Sequence, residues 1–412
     1  MDLISGNTFW PSTLEQTLDF SPLAEDLDCD VLIIGGGMSG SLCSRLLGER
    51  NVDTVVIDKR KLVHGSSSAN TGLLQYSNDK TLTSFINTFG GTNGVLFYRM
   101  CKDALDQLEK LAATLDINPS FIRRSSLYYA STTEDVQVLQ EEYKQLTRFG
   151  FPVEYWDEQQ VAARFPFRKT AALYTHEDAE VNPFQLAQGL FQSASRLGVR
   201  IFEHTDAKHF EFGENEVVCH TSEGTIRAKK VISATGYETQ EIKADRGATL
   251  ESSYAIVTTP VEDISFWHEQ CLIWETARPY LYMRTTQEGR IITGGLDEPV
   301  LDSNQREIRL LHQQKKLLQA LQEHFPDVPF KIDYAWAAVF GSSHDGLPYI
   351  GPHPRFPNCC FLEGYGGNGA VTSMIAAQLL ADELTGTHRP EMELFSLTRT
   401  TRPAPETTKP LA

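Results

Sequence analysis

No apolar run in this 412-residue chain approaches the roughly 20 residues that a bilayer-crossing helix needs, so a transmembrane segment is not expected. The opening stretch, MDLISGNTFWPSTLEQTLDF, has neither a basic start nor a continuous apolar core, and no secretory signal is expected. Cysteine is sparse and scattered. The seven residues are Cys29, Cys43, Cys101, Cys219, Cys271, Cys359 and Cys360, and no pair of CxxC units offers zinc-type spacing. An odd, dispersed set fits a reducing compartment, so the expected location is the cytoplasm. The adjacent Cys359 and Cys360 read as part of a buried strand. Positive charge is also short: 37 Lys and Arg against 54 Asp and Glu leave a net charge of −17. That excess argues against nucleic acid or an anionic membrane as the main partner. There is no internal repeat and no low-complexity segment.

What the chain does have is DVLIIGGGMSG over residues 30–40. Val31–Ile34 is a short buried-strand run, and it leads through Gly35-x-Gly37-x-x-Gly40 into a helix-forming stretch. Gly35 permits a tight turn, Gly37 lets the backbone approach a pyrophosphate, and Gly40 lets the helix pack against the strand. The helix N-terminus then offers N–H groups and partial positive charge to phosphates; Met38 and Ser39 lie on that turn. A second strand, Thr54–Ile57, ends in Asp58, whose side chain can accept both hydroxyls of a ribose. Lys59 and Arg60 follow within reach of ribose or adenine. The loop GSSSANTGLLQ, residues 65–75, combines small hydroxyl residues, an Asn and two glycines, which suits close backbone approach to an extended anionic ligand. His64 beside it reads as a surface residue.

Further along, residues 94–117 carry leucines at helical spacing, SLYYA (126–130) reads as a strand, and residues 134–150 form an amphipathic helix closed by Gly150. A turn at DAEVNP precedes a helix over 184–197. Short strands follow over 199–203, 207–212, 217–221, 225–228 and 230–233. The last runs into Ala234-Thr235-Gly236, a small-residue turn at a strand's C-terminal end, where open α/β sheets bind ligands. Residues 251–300 are strand-rich (YAIVTT, YLYMRTT, RIITGGL), 307–325 is a charged amphipathic helix, and 332–340 is a strand. HDGLPYIGPHP, the strand CCFLEGY, the loop GGNGA and a helix over 371–384 close the pattern. Residues 398–412 read as a frayed tail, and Phe9, Trp10 and Phe20 suggest that residues 1–29 pack on the body.

This order predicts an α/β protein: a Rossmann-like FAD-binding domain interleaved with an α+β substrate domain built on a mostly antiparallel sheet. The expected division assigns 1–80, 181–246 and 341–397 to the first, and 81–180 and 247–340 to the second.

Four separated motifs agree with one family. VLIIGGGMSG with Asp58, GSSSANTG, the VNP turn with Thr205-Asp206-Ala207 and SATG, and HDGLPYIG with GYGGNGA occur in the right order over nearly the whole chain. With them the sequence resembles the D-amino-acid oxidase-like FAD-dependent oxidoreductases of the glycine oxidase, sarcosine oxidase and γ-glutamylputrescine oxidase type. The resemblance implies bound FAD and oxidation of a C–N bond by hydride transfer to the flavin, with hydrolysis of the imine. By position it implies that Gly35, Gly37, Gly40, Asp58, Lys59, Ser67, Ser68, Asn70, Thr71 and Gly72 hold the cofactor. Ala207 would contact adenine, and Gly366, Gly367, Asn368, Gly369 and Ala370 would line the isoalloxazine edge. Two positions depart from the pattern. Phe340 stands where glycine oxidase carries a carboxylate-binding Arg and sarcosine oxidase the cysteine that attaches flavin, so the expected FAD is non-covalent. Ile292 stands where sarcosine oxidase carries the lysine that promotes reaction with oxygen.

Aromatic walls can hold a cationic amine, and the candidates for a substrate pocket are Tyr254, Trp274, Tyr280, Tyr282, Arg284, Trp336, Phe340 and His344. Of these, Tyr282, Arg284, Phe340 and His344 are the expected catalytic or substrate-contacting residues. Arg284 is the candidate replacement for the missing carboxylate clamp, and His344 an orienting residue. The expected partners are a small amine or amino-acid substrate and an acceptor, oxygen or another. Two alternatives stand beside an oxidase: a dehydrogenase passing electrons to a non-oxygen acceptor, and a flavin-binding protein without turnover.

Overall fold

The structure is a computed structural model, and it describes residues 1–243 and 247–399. Among these residues two sheets organise the chain. The smaller has a parallel centre, running Phe356–Glu363, Thr225–Ser233, Leu27–Ile34, Thr54–Ile57 and Arg200–Phe202. Its central strand, Leu27–Ile34, places Leu32 opposite Val231 on one side and Val55 on the other. Leu32, Ile33, Val55, Val56 and Ile57 are without solvent exposure, which fits a strand run that is apolar throughout rather than alternating. Three helices cover this sheet. Met38–Glu49 packs between Pro183–Arg196 and Gly369–Leu384, and both Met38–Glu49 and Gly369–Leu384 are buried nearly all round.

The larger sheet is mostly antiparallel. Its order is Ile4–Asn7, Ile332–Ser342, Thr249–Thr258, Ile291–Glu298, Leu281–Thr285, Leu272–Glu275, Ile122–Tyr129, Ala171–Glu180 and Leu73–Leu74, with Val153–Asp157 paired to Ala171–Glu180. The one parallel pairing joins Leu272–Glu275 to Ile122–Tyr129. Helix Ser303–His324 lies on this sheet through Leu310, Leu317 and Leu321. It begins four residues before the expected start because Asp302 caps it, accepting from the Gln305 amide at 2.9 Å. Helix Leu82–Ala112 also begins earlier than its leucine spacing suggested. Thr81 caps it, and Gly90, at φ 83°, breaks it into two parts. The two strands expected over 225–228 and 230–233 are one continuous strand.

Two segments lie elsewhere than the expected division placed them. Ile4–Asn7 and Leu73–Leu74, both within 1–80, are strands of the larger sheet. The N-terminal strand is held by its edge pairing with Ile332–Ser342 and by Arg306, which donates to Ser5 Oγ and to the Asp2 carbonyl. The rest of the leading segment packs on the body, as Phe9, Trp10 and Phe20 suggested: the Leu18, Phe20 and Leu23 amides donate to Gln188, Glu203 and Thr205. Arg399 is not frayed. Its guanidinium makes a two-pronged pair with the buried Asp345 at 2.7 and 2.8 Å, so residues 398–399 are docked against the HDG turn. The remainder of the expected tail, 400–412, lies outside the described residues.

Candidate active site

The Gly35–Gly40 turn is built as its spacing requires. Gly35 has φ 112°, and a Cβ there would collide with the Ala234 carbonyl; one on Gly40 would collide with the Gly35 carbonyl. Gly40 therefore acts on packing and lines no cavity. Above the turn is a cavity of about 590 Å³. Its walls bring together Gly35, Gly37, Met38, Ser39, Asp58, Lys59, Arg60, Ser67, Asn70, Ala207, Thr235, Gly236, Gly369 and Ala370. These come from six separate stretches of sequence.

Asp58 sits at the strand end with its carboxylate fixed from two sides. Oδ2 accepts from the Gly36 amide at 2.6 Å and Oδ1 from the Arg60 amide at 2.7 Å. Burial pushes its carboxyl above the ordinary range, and those two amide bonds work against that shift. Ser67 Oγ accepts from the Met38 amide at 2.8 Å, which ties the 65–72 loop to the first turn of the helix. Ser39 and Ser373 share a 2.8 Å hydrogen bond beside Tyr365 and present hydroxyls at the far wall. Lys59 and Arg60 line the cavity, but their charges are engaged: both pair with Glu238, at 3.1 and 2.8 Å. Burial pushes the Glu238 carboxyl up, and Arg60 and Lys59 overcome that and hold it at about 2.

The loop from Ser66 to Gly72 is pinned by two tryptophans from different elements. Trp10 Nε1 donates to the Asn70 carbonyl at 2.5 Å and Trp336 Nε1 to the Ala69 carbonyl at 3.0 Å. Asn70 Oδ1 accepts from the Gly72 amide at 2.7 Å, and Gly72 has φ 75°. Ser68 donates to the Gly65 carbonyl inside the loop, so Ser68 and Gly72 shape the loop without facing the cavity.

A second cavity, of about 140 Å³, adjoins the first across Ser66, Asn70, Tyr237 and Gly369. Its wall includes Thr71, Gly366, Gly367 and Asn368, together with Tyr254, Trp274, Tyr280, Tyr282, Trp336 and Phe340. The two glycines of RIITGG make room for the aromatic side. A Cβ on Gly294 would enter the Tyr282 ring, and one on Gly295, at φ 123°, would meet the Tyr280 carbonyl. Tyr282 and Phe340 thus face this cavity.

Arg284 and His344 do not line it. Arg284 is fully buried one step further along the strand. There it donates to the Gly72 carbonyl at 3.0 Å, lies 3.9 Å from Glu180 and faces the Trp10 ring. Trp10 and the 70–72 loop cover it, so no substrate carboxylate in this cavity meets it. His344 is exposed on the turn before Asp345. Sequence reasoning missed Asp79, Tyr237, Ser253 and Asp297, all on the wall of this cavity. Asp297 directly follows the GGL of RIITGGL, and Asp79 lies in an unremarkable polar loop; neither carries a spacing signal. Ile292 is buried in the sheet, and no lysine lines the second cavity.

The pattern of the FAD dependent oxidoreductases (DAO) matches residues 30–383. The chain belongs to this family. It is 23% identical over 397 residues to gamma-glutamylputrescine oxidoreductase of Escherichia coli, covering 92% of this chain and 89% of that one. Its identity to the putative Rieske 2Fe-2S iron-sulfur protein YhfW of Bacillus subtilis is also 23%, over 95% of this chain and 75% of that protein. Among solved structures, glycine oxidase from Geobacillus kaustophilus superposes with a TM-score of 0.77 at 21% identity, covering 91% of this chain and 99% of that one. The fold is therefore that of this two-part α/β group, and the protein is a FAD-dependent oxidoreductase. The larger cavity fits the cofactor: its size suits a large ligand, its glycine cradle has no room for side chains, and Asp58 is fixed at the place where a ribose is recognised. All seven thiols are buried and none is in a disulfide; burial pushes Cys359 and Cys360 up to about 12. No helix among the described residues is long and apolar enough to cross a membrane.

Proposed function

We propose that this protein oxidises the C–N bond of a small amine or amino-acid derivative in the cytoplasm. The observation that carries this reading is the second cavity, an aromatic-walled space opening off the dinucleotide cavity at the Gly366–Gly369 turn. FAD, when bound, accepts the two electrons that leave the substrate carbon. The balance is R–CH2–NH2 to R–CH=NH with loss of two electrons and two protons, after which water adds to the imine and ammonia or an amine departs. In this reading Asp58 and the 35–40 turn hold the nucleotide, while Ser67, Asn70 and Thr71 hold the 65–72 loop against the cofactor. Tyr282 and Phe340 wall the substrate and exclude water. A space of about 140 Å³ beside the cofactor cavity favours turnover over a purely structural flavoprotein, whose pocket would be filled. The electron acceptor is oxygen or another oxidant.

The test is the visible spectrum of the FAD-loaded protein under argon as amines and amino acids are added one at a time. Bleaching by a C–N substrate, with release of ammonia or an amine, is expected. Flavin that only hydroxy compounds bleach would overturn the reading. Readmitting air then tells oxidase from dehydrogenase.

A further inference from the structure

Every charged side chain that lines the second cavity is an acid: Asp79 and Asp297. No Arg, Lys or His lines it among the described residues, and the one buried arginine nearby, Arg284, is spent on Gly72 and Glu180. From this charge distribution we infer that the substrate is a short, linear polyamine-like cation: one amine is oxidised, a second ammonium rests against Asp297 and Asp79, and no free carboxylate flanks the reacting carbon. This rests on the amine-oxidoreductase reading and narrows it.

The two acids are built into the wall rather than spread on a surface. Asp79 accepts from the Gly367 amide at 3.1 Å, which fixes it on the turn between the two cavities. Around that turn the packing is tight: a Cβ on Gly367 would lie 2.8 Å from the Tyr280 hydroxyl and 3.1 Å from the Asp79 carboxylate oxygens. Asp297 Oδ1 is buried without a hydrogen-bond partner, an acceptor left open in a cavity wall. Such a group stays costly until a donor or cation meets it. Burial, with Asp79 adding repulsion, pushes the Asp297 carboxyl up to about 6, and an ammonium beside it would act against that shift by favouring the ionised form. Trp274, Tyr280 and Tyr282 line the same space, and aromatic rings can hold a cation. A substrate carboxylate in the same space would meet two acids and no counter-charge in the lining. Arg278 attracts Asp297 from outside the lining: it is exposed, lies over the Tyr280 ring and donates to four backbone carbonyls, including that of Asp79.

The experiment uses the full chain loaded with FAD, with 1,4-diaminobutane, butylamine and glycine as probes. Binding is followed by calorimetry under argon and reduction by flavin absorbance. The diamine is expected to bind and bleach the flavin, butylamine to bind about tenfold to a hundredfold more weakly, and glycine not to compete. Asp297→Asn should weaken diamine binding by a similar factor and narrow the gap between the diamine and butylamine. Asp79→Asn serves as a second variant, and flavin content shows that each has folded. Tighter binding by glycine than by the diamine, or no diamine binding at all, would overturn the inference. Diamine binding without bleaching, while hydroxy compounds bleach, would retain the cation seat and remove the amine-oxidoreductase reading.

Discussion

Asp297 makes the charge of the second cavity adjustable. The groups acting on it are Asp79 and Glu251, which repel; Arg278, which attracts; and the Ser253 hydroxyl, which favours the ionised form. With its carboxyl at about 6, Asp297 is mostly neutral at pH 5 and ionised at pH 7. A diammonium ligand stays charged across that window, since aliphatic amines titrate near 10. It binds the ionised acid better, so its Kd should fall as pH rises from 5 to 7, with proton release on binding below the midpoint. Calorimetry at several pH values measures this, and Asp297→Asn should flatten the profile. Phe340 is the opposite lever. It faces the cavity, so Phe340→Arg should introduce the missing counter-charge. Flavin bleaching by glycine should rise and bleaching by a diamine should drop; an unchanged glycine response would show that the side chain does not meet substrate. Asp58→Ala is expected to weaken FAD binding by about tenfold to a hundredfold, from lost charged hydrogen bonding, as read by titrating apoprotein with FAD.

At the scale of elements, the 65–72 loop depends on two indole N–H groups that arrive from opposite ends of the chain. Trp10→Phe keeps the ring packing and removes the bond to Asn70, so it should cost about 1 kcal/mol. Trp10→Ala also empties a buried site and should cost about 3–5 kcal/mol. Both should weaken FAD binding; thermal unfolding with and without FAD separates the two effects. Such braces explain what was legible in the sequence and what was not. The strand, glycine turn and helix over 27–49 were legible because the needs of a tight turn and of close helix packing leave few residue choices. On Leu281–Thr285, side chains repeat every two residues, so Tyr282 and Arg284 share a face. Alternation could not tell where along that face the cavity stops. Trp10 decides that by covering Arg284, and Trp10 belongs to a segment whose docking no local pattern specifies. Asp79 and Asp297 were illegible for the same reason: each is an ordinary polar residue until the fold sets it in the cavity wall.

At the scale of the molecule, neither sheet is built from a continuous piece of chain. The larger sheet takes its first strand from residues 4–7 and another from 332–342, while the smaller takes its centre from 27–34, its neighbours from 54–57 and 225–233, and the strand beyond the latter from 356–363. The 65–72 loop bridges them, with Ser67 bonded to the helix of one sheet and Ala69 to Trp336 of the other. Unfolding one sheet therefore frees strands that the other needs in order to close its chain. The expected result is a single calorimetric transition for the apoprotein. Because FAD binds the folded form, its addition should move that whole transition upward by RT ln(1 + [FAD]/Kd), about 2.7 kcal/mol at a hundredfold excess over Kd. Two resolved transitions, of which FAD moves only one, would show that the sheets fold independently and that the bridging loop carries no coupling. Arg399→Ala tests the same cooperativity from the far end. It removes the two-pronged pair with the buried Asp345 and should cost about 3 kcal/mol. That loss should lower the one shared transition rather than split it.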